Sequence, residues 1–407
     1  MSEEPTVTFK YRDYDHYDPG TRHDHVVELW DDLRAQCPIG RSDAHGGMWV
    51  VTGYPEVHDV LHRPEVFSSH PASFPPFPSP AKMMPVELDP PDHARYRALL
   101  APPFSVKRAE TYAEPLRVTV NHLIDEFIEA GEVDVYRAMA LRLPAALATI
   151  MLGTPAEDAD KLQVWVETVV HEISNDLNAA IEAVQSIYQY FYALLEVRKA
   201  DPSGDDLMSL LLRVEVDGER LKEDELMGFC FFLLLASLDT TQKLIGSIFW
   251  HLAGDAELRH RIAGDPSLTP GAVEEFLRLW GSVINTRRAT QDTEVGGVAI
   301  KEGEQLVLLL AAANRDGREF PDAAKFLVDR APNRHLTFAS GIHRCLGAHI
   351  ARVELRVMLD EFLRRIPDFE VADDSQIEWS HGHVQGVVRL PIRFTPGPRE
   401  DRSPAVS

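Results

Sequence analysis

The residue types best able to do chemistry are concentrated near the C-terminal end, in Phe338-Ala339-Ser340-Gly341-Ile342-His343-Arg344-Cys345-Leu346-Gly347. Cys345 lies where an irregular, glycine-flanked segment gives way to a helical pattern. In that pattern Ile350, Val353, Val357, Leu359 and Phe362 recur at helical spacing, with Arg352, Glu354, Arg356 and Asp360 between them. A cysteine just ahead of a helix faces unpartnered backbone N–H groups and the positive end of the helix dipole, and both favour thiolate over thiol. A thiolate is a ligand for a soft metal centre, and Gly341 and Gly347 let a large flat ligand approach the backbone closely. Without its neighbours the same cysteine reads as a buried apolar thiol.

A second cluster, Ala236-Ser237-Leu238-Asp239-Thr240-Thr241, interrupts a long segment from Glu223 through Phe229-Cys230-Phe231-Phe232-Leu233-Leu234-Leu235 to Trp250. Apolar on every side, that segment reads as a helix through the interior. A carboxylate there is costly unless paired or functional, and hydroxyls can divert helix hydrogen bonds and open a groove. The plain account pairs Asp239 with a buried arginine or lysine and lets the threonines bond back to the helix.

Phe-x-x-Gly-x-His-x-Cys-x-Gly closely resembles the haem-binding loop of cytochrome P450 monooxygenases, and the acid–alcohol cluster is similar to the oxygen-activation motif of that family. The resemblance implies haem b (iron-protoporphyrin IX) as cofactor, with Cys345 as the metal ligand and Phe338 beside its sulfur. It implies that His343, Arg97 and Arg287 hold the propionates, with His93 beside them, and that Gly347 and Ala236 border the porphyrin. Asp239 would gate protons and Thr240 would order water at the bound dioxygen. Glu275, Arg278 and Arg330 would form a structural triad behind the haem. The family usually has glycine where this chain has Ser237 and Ala339. These motifs follow one another in family order along nearly the whole chain.

The elements that must position these residues are mostly helical. Asp89-Pro90-Pro91-Asp92 opens a helix carrying His93 and Arg97, with prolines and an acid suited to its first turn. Between 107 and 212 helical patterns dominate. Two of them meet near Ser174-Asn175-Asp176 and, by the resemblance, form a lid; Trp165, Val169, Leu177 and Ile181 could face a cavity or simply pack. The stretch 65–91 is rich in proline, phenylalanine and methionine, reading as a long apolar loop over a cavity, and Phe74, Phe77, Met84 and Leu235 are the substrate-pocket candidates. Met48 to Thr52, Ile284 to Ala289, VGGVAI, QLVLLLAAANRD and WSHGHVQGVVRLPIRF read as strands. The expected fold is mainly α with a smaller β region, the cytochrome P450 fold, as one catalytic domain over 1–407 with flexible tails at 1–20 and 396–407. His381-Gly382-His383 could bind a metal but reads more simply as a polar hairpin tip.

Composition narrows the function further. With 41 basic and 64 acidic residues the net charge is −23, which excludes a broad nucleic-acid surface while leaving room for a local basic patch. Three cysteines, Cys37, Cys230 and Cys345, make no disulfide framework and fit a reducing cytoplasm. The polar, acidic N-terminus lacks a signal-peptide core, and no uninterrupted apolar run reaches the ~20 residues that span a bilayer, so no membrane insertion is expected. The resulting expectation is a cytoplasmic enzyme that uses dioxygen and two electrons to hydroxylate, or oxidatively demethylate, a small apolar organic substrate such as a terpenoid, an aromatic or a natural-product intermediate. Lacking any flavin or iron–sulfur segment, it would draw electrons from a ferredoxin-type donor and its reductase. A peroxide-driven peroxygenase and a haem-binding sensor or electron carrier are the rival readings.

Overall fold

The computed structural model describes residues 10–18 and 26–400. Its axis is the helix Glu223–Gly254, which starts with three acids at the positive end of its dipole and with Glu225 accepting the Lys222 N–H at 2.8 Å. This helix is long and apolar enough to cross a membrane, yet 78% of its most apolar stretch is buried inside the protein. It is the spine of the main core. Phe249 packs ring against tilted ring on Phe362 of the C-terminal helix Ala348–Arg365 at 4.5 Å, and the helices Arg142–Leu152, Ala159–Glu172 and Leu177–Ala200 also pack along it.

The β region is a five-stranded sheet in the order Ile39–Ser42, Met48–Val51, Gln305–Leu309, Ile284–Ala289, Phe67–Ser68, joined by small two- and three-stranded sheets. Gln305–Leu309 runs parallel to Met48–Val51 with Val307 opposite Val50, and antiparallel to Ile284–Ala289 with Leu306 opposite Arg287. The segment expected to be one strand from Gln305 onward turns into the short helix Leu310–Ala313, where the alanines favour helix over pleat.

The tail expectation fits the described residues poorly. Tyr11, Tyr14 and Tyr17 are buried, the Ser42 hydroxyl donates to the Tyr14 carbonyl at 2.6 Å, and Gly382 N–H donates to the His16 carbonyl at 2.6 Å. At the other end Gly397 N–H donates to Ile128 O at 3.1 Å and Glu400 pairs with Arg364 at 2.6 Å. Aromatic burial and ion pairing hold both segments down; the remainder of the two tails lies outside the described residues.

Candidate active site

A cavity of about 330 Å³ lies between the central helix, the start of the C-terminal helix, the strand Ile284–Ala289 and the loop around Phe77. Cys345, Phe338, Gly347, Ala236, Asp239, Thr240, His93, Arg97, Arg287 and His343 all line it. Sites more than a hundred residues apart in sequence therefore converge on one space.

The cysteine loop owes its shape to backbone bonds. Cys345 N–H donates to Phe338 O at 2.8 Å and Ala339 N–H to Leu336 O at 2.7 Å, which folds the segment back on itself ahead of the helix. Gly341, at φ +71°, lies so close to the Leu61 carbonyl that a Cβ would stand 2.3 Å from its oxygen. Ala339 adopts φ +52°, a left-handed conformation that costs a non-glycine residue about 1 kcal/mol. This is the position where the resembling family has glycine, so the methyl is carried as backbone strain. Arg352 lies over the Phe338 ring at 4.7 Å while its guanidinium holds Glu274 at 2.6 Å.

The accessible surface of Cys345 opens onto the cavity rather than onto bulk water. Burial pushes its thiol up, outweighing the opposing pull of the Gly347 N–H and of Arg97, Arg344 and Arg352. The expectation that the helix start alone favours thiolate is thereby corrected, since desolvation by the rest of the fold wins. A bound metal cation reverses the balance, because a coordinating thiol is deprotonated outright.

Around the same space stand cationic and imidazole groups without anionic partners. Arg287 is fully enclosed, bonds only the carbonyl of its neighbour Thr286 at 2.7 Å, and is lowered to about 10 by burial. Arg97 donates only to the Arg344 carbonyl. His343 and His93 pack ring against ring at 4.2 Å, each with an unpartnered Nε2, and burial, with Arg287 and His93 beside it, holds His343 far below the usual imidazole range. A buried and a half-buried guanidinium, with two imidazoles carrying unpartnered nitrogens, form a cradle for a ligand carrying carboxylates, and the thiol faces a soft metal. A flat iron porphyrin with two propionates meets both demands, so the residues present fit haem b.

On the central helix Thr240 Oγ1 donates to Ala236 O at 3.1 Å, and Asp239 forms a buried ion pair with Lys243. Ser237, at the family's other glycine position, gives its hydroxyl to Leu233 O at 2.8 Å and Leu234 O at 3.1 Å, so the helix absorbs it. Behind the cavity Glu275 accepts from Arg278 at 2.8 Å and from Arg330 at 2.9 Å, and also from Leu327 N–H and Asn333.

Of the substrate-pocket candidates, Phe77 and Leu235 line the cavity but Phe74 and Met84 do not. Phe74 packs edge-on to His45 at 6.0 Å, and Met84 packs on Gly228 of the central helix, leaving its neighbour Met83 to face inward. Trp165, Val169, Leu177 and Ile181 also miss it; Trp165 packs edge-on to Tyr190 at 6.0 Å, Leu177 is exposed, and Val170 faces the cavity instead. Sequence reasoning passed over Lys243, although its spacing of four from Asp239 puts the two on one helix face, and over Glu354 and Gln385, which carried no motif. His383 also faces the cavity, and among the described residues no group of three or more His, Cys, Asp or Glu side chains is arranged for a metal ion.

Comparisons with known proteins bear on this geometry. The cytochrome P450 family model matches residues 266–395. A steroid C26-monooxygenase of Mycobacterium tuberculosis is 36% identical over 90% of this chain and 99% of its own. The mycinamicin IV hydroxylase/epoxidase of Micromonospora griseorubida is 33% identical over 84% of this chain and 89% of its own. The crystal structure of CYP109E1 from Bacillus megaterium in complex with testosterone superposes with a TM-score of 0.82 at 28% identity, covering 90% of this chain and 97% of that chain. With 36% identity to a relative matched over 99% of its length, the chain belongs to the cytochrome P450 family and is a bacterial-type haem b monooxygenase using dioxygen, an apolar substrate and electrons from a redox partner.

Proposed function

We propose that the enzyme hydroxylates a bulky, largely apolar, multicyclic substrate of steroid or terpenoid type. The observation that carries the placement is Cys345 opening onto a cavity ringed by the unanswered donors of Arg97, Arg287 and His343. Bound there, haem supplies dioxygen activation and insertion of one oxygen atom into a C–H bond. Cys345 would supply the thiolate to the iron, and the two arginines with His343 and His93 would hold the propionates. Phe338 and Gly347 would shape the pocket beside the sulfur, and Ala236, on the central helix, would leave room for the porphyrin. Phe77, Met83, Leu147, Leu235 and Leu244 exclude water and hold the substrate by apolar contact. Thr240 orders water over the reacting face, and Asp239 supplies protons from behind it. Glu275, Arg278 and Arg330 brace the loop. The named activities of the relatives, on a steroid and on mycinamicin IV, support a substrate of that bulk.

Electrons come from a ferredoxin-type donor, and the whole chain works as one cytoplasmic domain. The exposed Arg344 on the cysteine side suits an acidic donor although the protein is acidic overall. The test is a substrate titration followed by the haem absorption shift, using steroids, terpenoids, macrolides and fatty acids. Steroids or terpenoids should shift the spectrum at micromolar concentration. Binding confined to fatty acids would refute the substrate class, and a reduced carbon monoxide spectrum without the thiolate band would refute the role of Cys345. Thr240→Ala should divert electrons from product to peroxide, with an unaltered coupling ratio speaking against its role.

A further inference from the structure

Many polar side chains around the cavity are already satisfied within the protein. Ser282 gives its hydroxyl to the Gln385 carbonyl, Thr286 to Pro71 O at 3.1 Å, and Thr337 to Leu277 O at 2.6 Å. Arg97, Arg287, His93 and His343 belong to the cradle. Among those left over, His383 and Gln385 share one hairpin, between Glu378–Ser380 and Gly386–Arg389. Nδ1 of His383 is buried and unpartnered, and the Gln385 amide makes no hydrogen bond to the described residues. Gln385 is only 4% exposed, so bulk water does not serve it either.

The hairpin holds both side chains on a fixed frame. His383 O accepts the Ile284 N–H at 2.9 Å and Gln385 O the Ser282 hydroxyl, so the main chain is committed and the side chains remain for a ligand. On the other flank Val387 N–H donates to Ser247 of the central helix at 3.3 Å, and a Cβ on Gly386 would stand 2.6 Å from the Lys243 carbonyl oxygen. Phe77, from the loop over the cavity, meets the His383 ring edge-on at 5.9 Å. Val283 bridges Val384 and precedes Arg287 by four residues, about 13 Å along an extended chain. The polar pair is thus set apart from the cradle, in a wall that is otherwise apolar around Phe77 and Leu244. A few fixed polar groups in such a wall orient a ligand.

Burial lowers the His383 imidazole to about 4, so near neutrality the ring is uncharged, one nitrogen donating and the other accepting. The Gln385 amide adds two donors and an acceptor. Neither group carries a charge to balance a carboxylate, whereas both answer a neutral oxygen. Unanswered polar groups in an apolar site are costly, so a ligand bearing that oxygen gains what a hydrocarbon forfeits. We propose that His383 and Gln385 are specificity-determining residues that hydrogen-bond a hydroxyl or carbonyl oxygen of the substrate, so that the enzyme takes an already oxygenated skeleton and rejects the parent hydrocarbon. This rests on the bulky apolar substrate proposed above and adds the polar group it must carry.

The experiment uses the haem-loaded enzyme and follows the haem absorption shift with matched pairs of probes: androstanone with androstane, cedrol with cedrane, and cyclododecanone with cyclododecane. Wild type should bind the oxygenated member of each responding pair at least about tenfold more tightly. The double variant His383→Leu/Gln385→Leu should bring the two members within about twofold, by weakening the ketone or alcohol and not the hydrocarbon. His383→Gln keeps a donor and an acceptor and should retain part of the preference. Equal affinities within the pairs in wild type, or no shift from any oxygenated member, would overturn the proposal without a variant. So would a preference that survives in the double variant while its carbon monoxide band is intact. Should that variant fail to load haem, His383→Leu and Gln385→Leu are read singly, and a preference unchanged in both overturns it. Dodecanoic acid binding more tightly than all the neutral oxygenated probes also overturns it, because a carboxylate calls for a cation. Silence of the androstane and cedrane pairs, with the preference kept for cyclododecanone, would instead sink the steroid or terpenoid reading and leave the hairpin's role standing.

Discussion

Glu354 provides a test of how burial sets protonation in this protein. It lies on the C-terminal helix, 3% exposed, and its Oε1 has no hydrogen-bond partner. The nearby Arg352 is committed to Glu274, so no cation offsets the desolvation. Burial pushes the Glu354 carboxyl up from 4.5 to about 8. Between those values the native state holds a proton that the unfolded chain has lost, so stability falls as pH rises through the window and levels off above it. The favourable contribution is complete below 4.5 and gone by about pH 8. From 4.5 to neutrality is roughly two and a half pH units at about 1.4 kcal/mol each, or about 3 kcal/mol at pH 7. Glu354→Gln keeps the shape and removes the titration. Its stability relative to wild type, from denaturant unfolding followed by circular dichroism, should rise by about 3 kcal/mol between pH 4.5 and 7 and flatten above 8. Any fixed effect of burying an amide shifts the whole curve without changing its slope. A difference constant to within about 1 kcal/mol across that range would refute the reasoning.

Glu275→Gln strands two arginines in the interior and should lower stability by about 3 kcal/mol or more, with early loss of haem on heating; a change below about 1 kcal/mol would count against the triad as a brace. Ala339→Gly relieves the left-handed strain in the cysteine loop and should raise stability by about 1 kcal/mol, read as a higher unfolding midpoint with an unchanged carbon monoxide spectrum. Arg344→Glu should slow reduction by a ferredoxin and weaken its salt dependence; unchanged reduction kinetics would move the docking face elsewhere.

Much of the site was legible because its residues lie in short runs whose types carry their own chemistry. The cysteine loop, the acid–alcohol step and the E-x-x-R pair need only local spacing to be seen, and the helix Glu223–Gly254 follows from an apolar run without a polar face. What could not be read depended on chain far away. Met83 and Met84 are neighbours in one turn, and only the path of the backbone over Gly228 decides which faces the cavity. The state of the Cys345 thiol was misjudged for the same reason, a local dipole argument being outweighed by surroundings contributed by other elements. Lys243 was within reach, because a buried acid asks for a cation and a spacing of four supplies one. The histidines of the hairpin were visible as residues, but their place beside Asp239 comes from packing across some 140 positions of sequence.

The union of Gly382 with His16 has a bearing on biosynthesis. A chain leaving the ribosome at about 5–20 residues per second makes its opening segment on the order of half a minute before the partner that fastens it. The first sheet is kept waiting as well, since Met48–Val51 needs Gln305–Leu309 alongside it. Throughout that interval Tyr11, Tyr14 and Tyr17 have no finished home, and the strand Met48–Val51 presents an open edge to other nascent chains. Yield on overexpression should therefore respond to slower translation or added chaperone more than to any stabilising change near the haem.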